Sequence, residues 1–264
     1  MKLVSLVLSI LITTGALVPA DKVLGQSGVS PVLVRENRFE AEPPPADAEI
    51  INLVLDFAPG VWLPLHLHSG PGYATVLEGT MTRRGEGTDR TFGVGQGWVD
   101  RADVPHQAGN DATVRARILA TFVIPRGATL TTILENDATA PGATTFAELR
   151  MNASGLPSPL DLVHRVVKLD AAVEVPAHSD EGITVTSVLN GNGTFEENGT
   201  SREVATGASW ADSANTADSE TLTTSAPVEL AATHLLPHGT ALTDPVAVPV
   251  PARFPAPAQL PGTR

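Results

Sequence analysis

The sequence contains no cysteine and only one tyrosine, and charged residues occupy 17% of its 264 positions. Without cysteine, the chain forms no disulfide and offers no thiolate ligand to a metal. The 17 Lys and Arg residues are outnumbered by 29 Asp and Glu residues, which gives a formal net charge of −12. Nucleic acids and anionic membrane surfaces bind basic patches, so we expect neither as a partner.

Long apolar runs are also absent, except for one at the start of the sequence. An apolar run from Leu3 to Val18 follows Lys2 and ends in a Val-Pro-Ala sequence that resembles a cleavage site. The run is short for a membrane-spanning helix. Residues 1–25 are therefore predicted to be a signal peptide, and the mature protein is expected to be secreted, periplasmic or extracellular, without a membrane anchor.

Glycine and proline are abundant, with 23 and 22 residues, whereas the periodic apolar pattern of an amphipathic helix is missing. Short runs rich in Val, Leu and Thr lie between turn residues, and such runs predict strands. The expected fold class is all-β. Closely spaced prolines deny both helix and ladder hydrogen bonds, so residues 244–264 are predicted to be a Pro-rich tail that is extended or disordered.

Three of the seven histidines stand in two short motifs. His66 and His68 lie two positions apart within an apolar stretch, and His106 follows a proline. Alternate side chains of a strand point to the same face, so His66 and His68 share one face. Because imidazole is the commonest metal ligand, a third ring from a neighbouring strand would complete a site. We predict that His66, His68 and His106 bind a divalent transition metal: Fe, Mn, Cu, Ni or Zn.

The two motifs resemble the two signature motifs of the cupin superfamily. The residues in register with those motifs are Gly60, His66, His68, Gly79, Gly95, His106 and Asn110. The resemblance implies a jelly-roll β-barrel, and its likeness to secreted quercetin-dioxygenase-like bicupins implies a dioxygenase acting on a small organic substrate. The chain departs from the family at Gly72, where the first motif carries a glutamate ligand that dioxygenases of the flavonol type also use as a base.

Tyr73 stands beside the position of this missing glutamate. Its phenol is a candidate to approach the metal or the ligand, which makes Tyr73 a candidate catalytic residue. The alternative is a packing role, since tyrosine is favoured on half-buried strands.

The sequence repeats itself at an offset of 112 residues without a gap. The segment Val76-Leu77-Glu78-Gly79 recurs as Val188-Leu189-Asn190-Gly191, and Trp98 and Asp100 recur as Trp210 and Asp212. The repeat predicts two tandem cupin barrels, an N-terminal domain at 30–142 and a C-terminal domain at 143–243.

The same offset places His178, Asp180 and Asp218 where the first copy has His66, His68 and His106. One histidine and two carboxylates could hold a hard divalent ion through oxygen ligands. The alternative is a degenerate site in a barrel that has kept its fold.

Two classes of function remain open on the sequence. The first is a metal-dependent enzyme, a dioxygenase in its sharpest form. The second is a small-molecule-binding cupin without catalysis, either metal-free or with a structural metal. Both classes of function predict that the partner is a small molecule. A homodimer is compatible with either class.

Overall fold

The computed structural model describes residues 32–135, 142–170, 173–174, 178–179, 182–197, 200–212, 217–218, 220–223 and 226–242. Every regular element in this part of the chain is a strand, which confirms the all-β prediction. Among the described residues, no helix has the length and apolar character needed to cross a membrane. The predicted signal peptide at 1–25 and the tail at 244–264 lie outside the described residues.

Ten strands precede residue 135. They are β1 (Val32–Ala41), β2 (Asp47–Phe57), β3 (His66–His68), β4 (Gly72–Glu78), β5 (Thr80–Gly85), β6 (Thr88–Gly93), β7 (Gly97–Asp100), β8 (His106–Gly109), β9 (Ala116–Pro125) and β10 (Thr131–Ile133).

Eleven described strands follow. They are β11 (Thr144–Ser154), β12 (Leu160–Leu169), β13 (Val173–Glu174), β14 (His178–Ser179), β15 (Ile183–Asn190), β16 (Asn192–Glu197), β17 (Thr200–Ala205), β18 (Ser209–Asp212), β19 (Ala217–Asp218), β20 (Glu220–Thr223) and β21 (Val228–Pro237).

The strands form two antiparallel jelly-roll barrels. In the first barrel, a sheet of order β11-β2-β9-β4-β7 packs on a sheet of order β10-β3-β8-β5-β6. In the second barrel, a sheet of order β1-β12-β21-β15-β18 packs on the sheet β13-β20-β16-β17, and β14 pairs with β19. Both barrels thus have the sandwich arrangement expected of a cupin.

The pairing registers repeat at the offset that the sequence indicates. Gly72 pairs with Asp100 in the first barrel, and Thr184 pairs with Asp212 in the second. A ladder irregularity after Val76 recurs after Val188. Equivalent residues therefore occupy equivalent strands, as expected of a duplicated barrel.

The two barrels exchange their first strands. β1 pairs with β12 of the second barrel, whereas β11 pairs with β2 of the first barrel. The predicted boundary between residues 142 and 143 therefore differs from the division of the sheets, because each five-stranded sheet takes one strand from across it. The reciprocal pairing ties the two barrels together through backbone hydrogen bonds.

Alternation along β2 explains how the barrels pack. Ile51, Leu53 and Phe57 point into the first barrel, and Ile50 and Val54 point outward. The outward face is buried as well, because Val54 packs in a cluster with residues of the second barrel. A strand that is buried on both faces has a nearly continuous apolar sequence, as β2 does.

Candidate metal centre

Three imidazoles converge inside the first barrel. His66 and His68 lie on β3, His106 begins β8, and His66 and His106 are direct partners in the strand ladder. Ligand nitrogens of the three rings all lie within 4.8 Å of one another. All three side chains are buried. The predicted residues are therefore brought together as a cluster able to bind a metal ion.

Backbone carbonyls orient each of the three rings. The Nδ1 atoms lie 2.7 Å (His66), 3.1 Å (His68) and 2.9 Å (His106) from the carbonyl oxygens of Pro64, Leu130 and Val104. A carbonyl oxygen only accepts hydrogen bonds, so each Nδ1 carries the proton and donates it. In a neutral ring the lone pair is then on Nε2. This tautomer and a fixed ring orientation are typical of metal-binding histidines.

Burial keeps the two rings on β3 uncharged. Desolvation lowers the pKa of His66, and it lowers the pKa of His68 to about 4. The neighbouring imidazoles act in the same direction, because two positive rings at this distance repel each other. Neutral imidazole is the form that binds a metal, so both rings are ready to do so at neutral pH.

The cluster lines an apolar cavity of about 240 Å³. Besides the three histidines and Asp100, the wall is mainly aliphatic and aromatic; it includes Leu53, Leu55, Phe57, Leu63, Phe122, Leu130 and Ile133. Within the described part of the chain, no Lys or Arg side chain lines this cavity. The three imidazoles and Asp100 therefore supply the ionisable or metal-binding groups of a largely apolar wall.

Phe122 fills the space beside Gly72. A Cβ atom added to Gly72 would lie 2.5 Å from Cε1 of Phe122, which is closer than any real contact of this kind. Phe122 also packs on His68, with ring centroids 4.6 Å apart. A side chain at position 72 therefore requires Phe122 to move. The absence of the glutamate does not leave an empty space, because the Phe122 ring occupies it.

Asp100 is a buried carboxylate that lines the same cavity. Its Oδ1 accepts a hydrogen bond of 2.6 Å from Nε of Arg83, and its Oδ2 accepts one of 2.9 Å from Nε1 of Trp98. Oδ2 also lies 3.3 Å from Nε2 of His106. The guanidinium of Arg83 thus gives this buried carboxylate a partner of opposite charge.

Tyr73 directs its hydroxyl away from the histidine cluster. The hydroxyl oxygen accepts a hydrogen bond of 2.9 Å from the backbone N–H of Glu42, and the ring packs on Phe39. Burial raises the pKa of Tyr73 to about 12. These contacts fit the packing role that the sequence left as the alternative, and the catalytic role of Tyr73 stays a prediction.

The equivalent positions of the second barrel are described only in part. His178 pairs with Asp218 across β14 and β19, as His66 pairs with His106 in the first barrel. Asp180 lies outside the described residues, and so do the side chains of His178 and Asp218. A metal site at these three residues stays a prediction.

Sequence reasoning missed two residues of the site. The sequence identifies Asp100 only as part of the repeated segment with Trp98, and it does not single out Phe122. For Asp100 a signal was present, because an aspartate two positions after Trp98 shares the inward face of its strand. Nothing in the sequence indicated that Phe122 packs on Gly72.

Residues 53–122 match the family model of the cupin domain. Among solved structures, AerE from Microcystis aeruginosa is similar with a TM-score of 0.51 at 14% identity, covering 78% of this chain and 99% of that one. A salicylate 1,2-dioxygenase from Pseudaminobacter salicylatoxidans gives a TM-score of 0.45 at 14% identity, covering 70% of each chain. A structure of salicylate 1,2-dioxygenase adducts with gentisate gives 0.45 at 15% identity, over 70% of this chain and 68% of that one. No curated protein sequence matches the chain.

The family match covers the segment that contains all three histidines. This segment of the first barrel is thus similar to a cupin domain, and its histidine cluster is able to bind a metal. At 14% identity, the likeness to AerE supports the shared fold over most of the chain, and the fold alone does not decide the reaction.

Proposed function

We propose that this cupin binds a divalent transition metal through His66, His68 and His106 and acts as a dioxygenase on a small organic molecule in the apolar cavity. The carrying observation is that each ring donates through Nδ1 to a backbone carbonyl, which leaves three Nε2 lone pairs facing one another. Three buried acceptors without a cation repel one another. A metal ion relieves this repulsion.

The cavity supports a substrate that is apolar apart from one or two oxygen atoms. Three neutral ligands leave much of the charge of a divalent ion uncompensated, so an enolate or phenolate oxygen would bind well beside the imidazoles. The rest of the molecule meets aliphatic and aromatic side chains such as Leu53, Leu63 and Ile133. Phenols and β-diketones have this distribution of polarity.

The protein's own part in such a reaction is to bind and orient. The carbonyls of Pro64, Val104 and Leu130 fix the three rings, and the apolar wall excludes water from the reacting end of the substrate. When bound, a redox-active metal supplies Lewis acidity and electron transfer to dioxygen.

Metal analysis followed by a dioxygen-uptake screen tests this function. We expect close to one equivalent of metal per chain after gentle purification, and metal-dependent dioxygen uptake with a phenol or β-diketone. Dioxygen uptake that persists after removal of the metal would contradict the proposal. Protein that takes up neither endogenous metal nor added Fe²⁺, Mn²⁺, Cu²⁺, Ni²⁺ or Zn²⁺ would also contradict it.

The second candidate function is a binding protein without catalysis. The observation in its favour is that Phe122 occupies the space of the glutamate that related enzymes use as ligand and base. The apolar cavity could bind a small molecule through its walls alone. Ligand binding that is equally tight with and without metal, and no dioxygen uptake, would favour this function.

We also propose that the mature protein acts outside the cytoplasm, which rests on the apolar run from Leu3 to Val18. Cell fractionation and N-terminal sequencing of the mature chain test it. A cytoplasmic protein that retains Met1 would contradict export.

A further inference from the structure

Asp100 makes a contact in the first barrel that its hydrogen bonds alone do not explain. Its Oδ2 lies 3.3 Å from Nε2 of His106. Nδ1 of His106 donates to the carbonyl of Val104, so Nε2 of the neutral ring carries a lone pair. A carboxylate oxygen and a nitrogen lone pair therefore face each other in a buried site. A cation shared by the two atoms, either a proton on Nε2 or a metal ion, makes such a contact favourable.

The spacing of the two atoms is that of two ligands of one metal ion. In a tetrahedral site with bonds of about 2.0–2.1 Å, neighbouring ligand atoms are about 3.3 Å apart. Asp100 also acts electrostatically on His66 and His68, since its charge favours the protonated form of both rings. Its direct contact within the cluster is with His106.

Asp100 stands across the ladder from the position that lost its carboxylate. Gly72 on β4 is its direct partner on β7, and directly opposed residues of antiparallel strands share one face. The ring of Phe122 fills the space at Gly72. The face of the barrel therefore still presents one carboxylate, on the neighbouring strand.

The remaining contacts of Asp100 leave it free to bind a metal. A carboxylate offers about four lone-pair sites, and Arg83 and Trp98 each occupy one. These two donors fix the orientation of the carboxylate, as outer-shell partners of ligating carboxylates do.

We propose that Asp100 is the fourth protein ligand of the metal centre and replaces, from β7, the glutamate that is missing at Gly72 on β4. This inference rests on the proposed metal-binding function of His66, His68 and His106. A carboxylate ligand lowers the net charge of the centre and favours Fe²⁺, Mn²⁺ or Zn²⁺ over softer ions.

A crystal structure of the full-length protein loaded with Zn²⁺ tests the ligand directly. We expect Oδ2 of Asp100 at about 2.0–2.2 Å from the ion, with the three Nε2 atoms at about 2.0–2.1 Å. An ion bound by the three histidines with Asp100 more than about 3 Å away would overturn the inference and leave the proposed function intact, because this distance exceeds any Zn–O bond. Protein that binds no ion would contradict both.

Variants provide a second test in solution. Replacing Asp100 alone leaves Arg83 buried without its charge partner, and such changes are strongly destabilising. The informative pair is R83M, which keeps the carboxylate, and the double variant R83M/D100N, which removes both charges. R83M leaves the carboxylate unpaired in the metal-free protein, so circular dichroism checks that this variant is folded before metal is added. Zn²⁺ affinity is measured by chelator competition, and the visible spectrum of Co²⁺-loaded protein reports the ligand set.

We expect R83M to bind Zn²⁺ within about tenfold of the wild type, and the double variant to bind at least about 100-fold more weakly than R83M. The Co²⁺ spectrum should change only in the double variant. D212N alters the equivalent aspartate of the second barrel and is the matched control, with no expected change. Equal affinity and identical Co²⁺ spectra of R83M and R83M/D100N would overturn the inference.

Discussion

The two barrels share their strand registers but differ in the side chains that face their interiors. The pair Gly72 and Phe122 of the first barrel is replaced by Thr184 and His234 in the second, where the threonine hydroxyl lies 3.0 Å from Nδ1 of the histidine. Both pairs are direct ladder partners, at Gly72–Phe122 and at Thr184–His234. The two barrels thus keep the same strand pairing at these positions but place chemically different side chains there.

A second difference lies between the barrels, at equivalent positions 52 and 164. Asn52 accepts hydrogen bonds from Thr121 and Thr233, whereas His164 contacts Thr75 and Thr121. All of these side chains are buried. Thr121 and Thr233 are themselves equivalent and lie 3.1 Å apart through their hydroxyl oxygens. The interface thus contains a polar network that is symmetric in position and asymmetric in residue type.

The variant with the greatest predicted consequence tests whether metal binding is confined to the first barrel. Because His106 supplies one of three convergent nitrogens, H106A should weaken metal binding by more than about 100-fold. The barrel should stay folded, since its core is made by apolar strand faces. Chelator competition and circular dichroism measure the two effects. H178A changes the equivalent residue of the second barrel, and a similar loss there would show that the second barrel also binds metal.

The next effect concerns the pair of Gly72 and Phe122. Glutamate at position 72 would collide with the Phe122 ring and bury a charge, so G72E should destabilise the protein by about 3 kcal/mol or more. The double variant G72E/F122A provides room and should recover part of this loss. Urea unfolding measures both variants. A fully stable G72E that binds metal more tightly would show that the Phe122 ring moves readily.

A smaller effect is the pH dependence of folding stability, to which His164 should contribute and the equivalent Asn52 should not. Burial, followed in size by the repulsion from His234, lowers the pKa of His164 to about 3. In the unfolded chain the pKa is about 6.5, so below that pH the unfolded state binds more protons. Because His164 stays neutral in the folded protein, the free energy of unfolding should fall by about 1.4 kcal/mol for each unit by which the pH is lowered between about 6 and 4.

The variant H164N copies the residue of the first barrel and should remove this component of the pH dependence. Urea unfolding of both proteins at about pH 7, 5 and 4 measures it, and the carboxylates common to both cancel in the difference. Parallel stability curves for the two proteins would mean that His164 is not held in its neutral form.

The smallest predicted effect is the difference in stability loss between variants of Thr121 and of Thr233. Thr121 contacts Asn52, His164 and Thr233, whereas Thr233 contacts Asn52 and Thr121. Loss of a buried hydrogen-bond partner costs about 1–3 kcal/mol. T121V should therefore lie toward the upper end of this range and T233V toward the lower end in urea unfolding. Equal losses would indicate that the contact between Thr121 and His164 contributes little.

The all-β fold, the duplication and the three histidines of the cluster could be predicted from the residues alone. Alternation along a strand places His66 and His68 on one face whatever surrounds them. The gapless offset of 112 residues predicts that the strands of the second barrel pair in the same register as those of the first, as the pairs His66–His106 and His178–Asp218 do. These features depend on local periodicity, which a single chain displays directly.

The exchange of strands between the barrels and the side-chain contacts inside the first barrel could not be predicted in this way. The pairing of β1 with β12, the ring of Phe122 against Gly72, and the approach of Asp100 to His106 all join segments that the sequence does not pair. Local propensity is the same whichever long-range partner a strand takes, so it does not specify these contacts. They are set by packing volume and by the need of buried polar groups for partners, and both are properties of the folded chain.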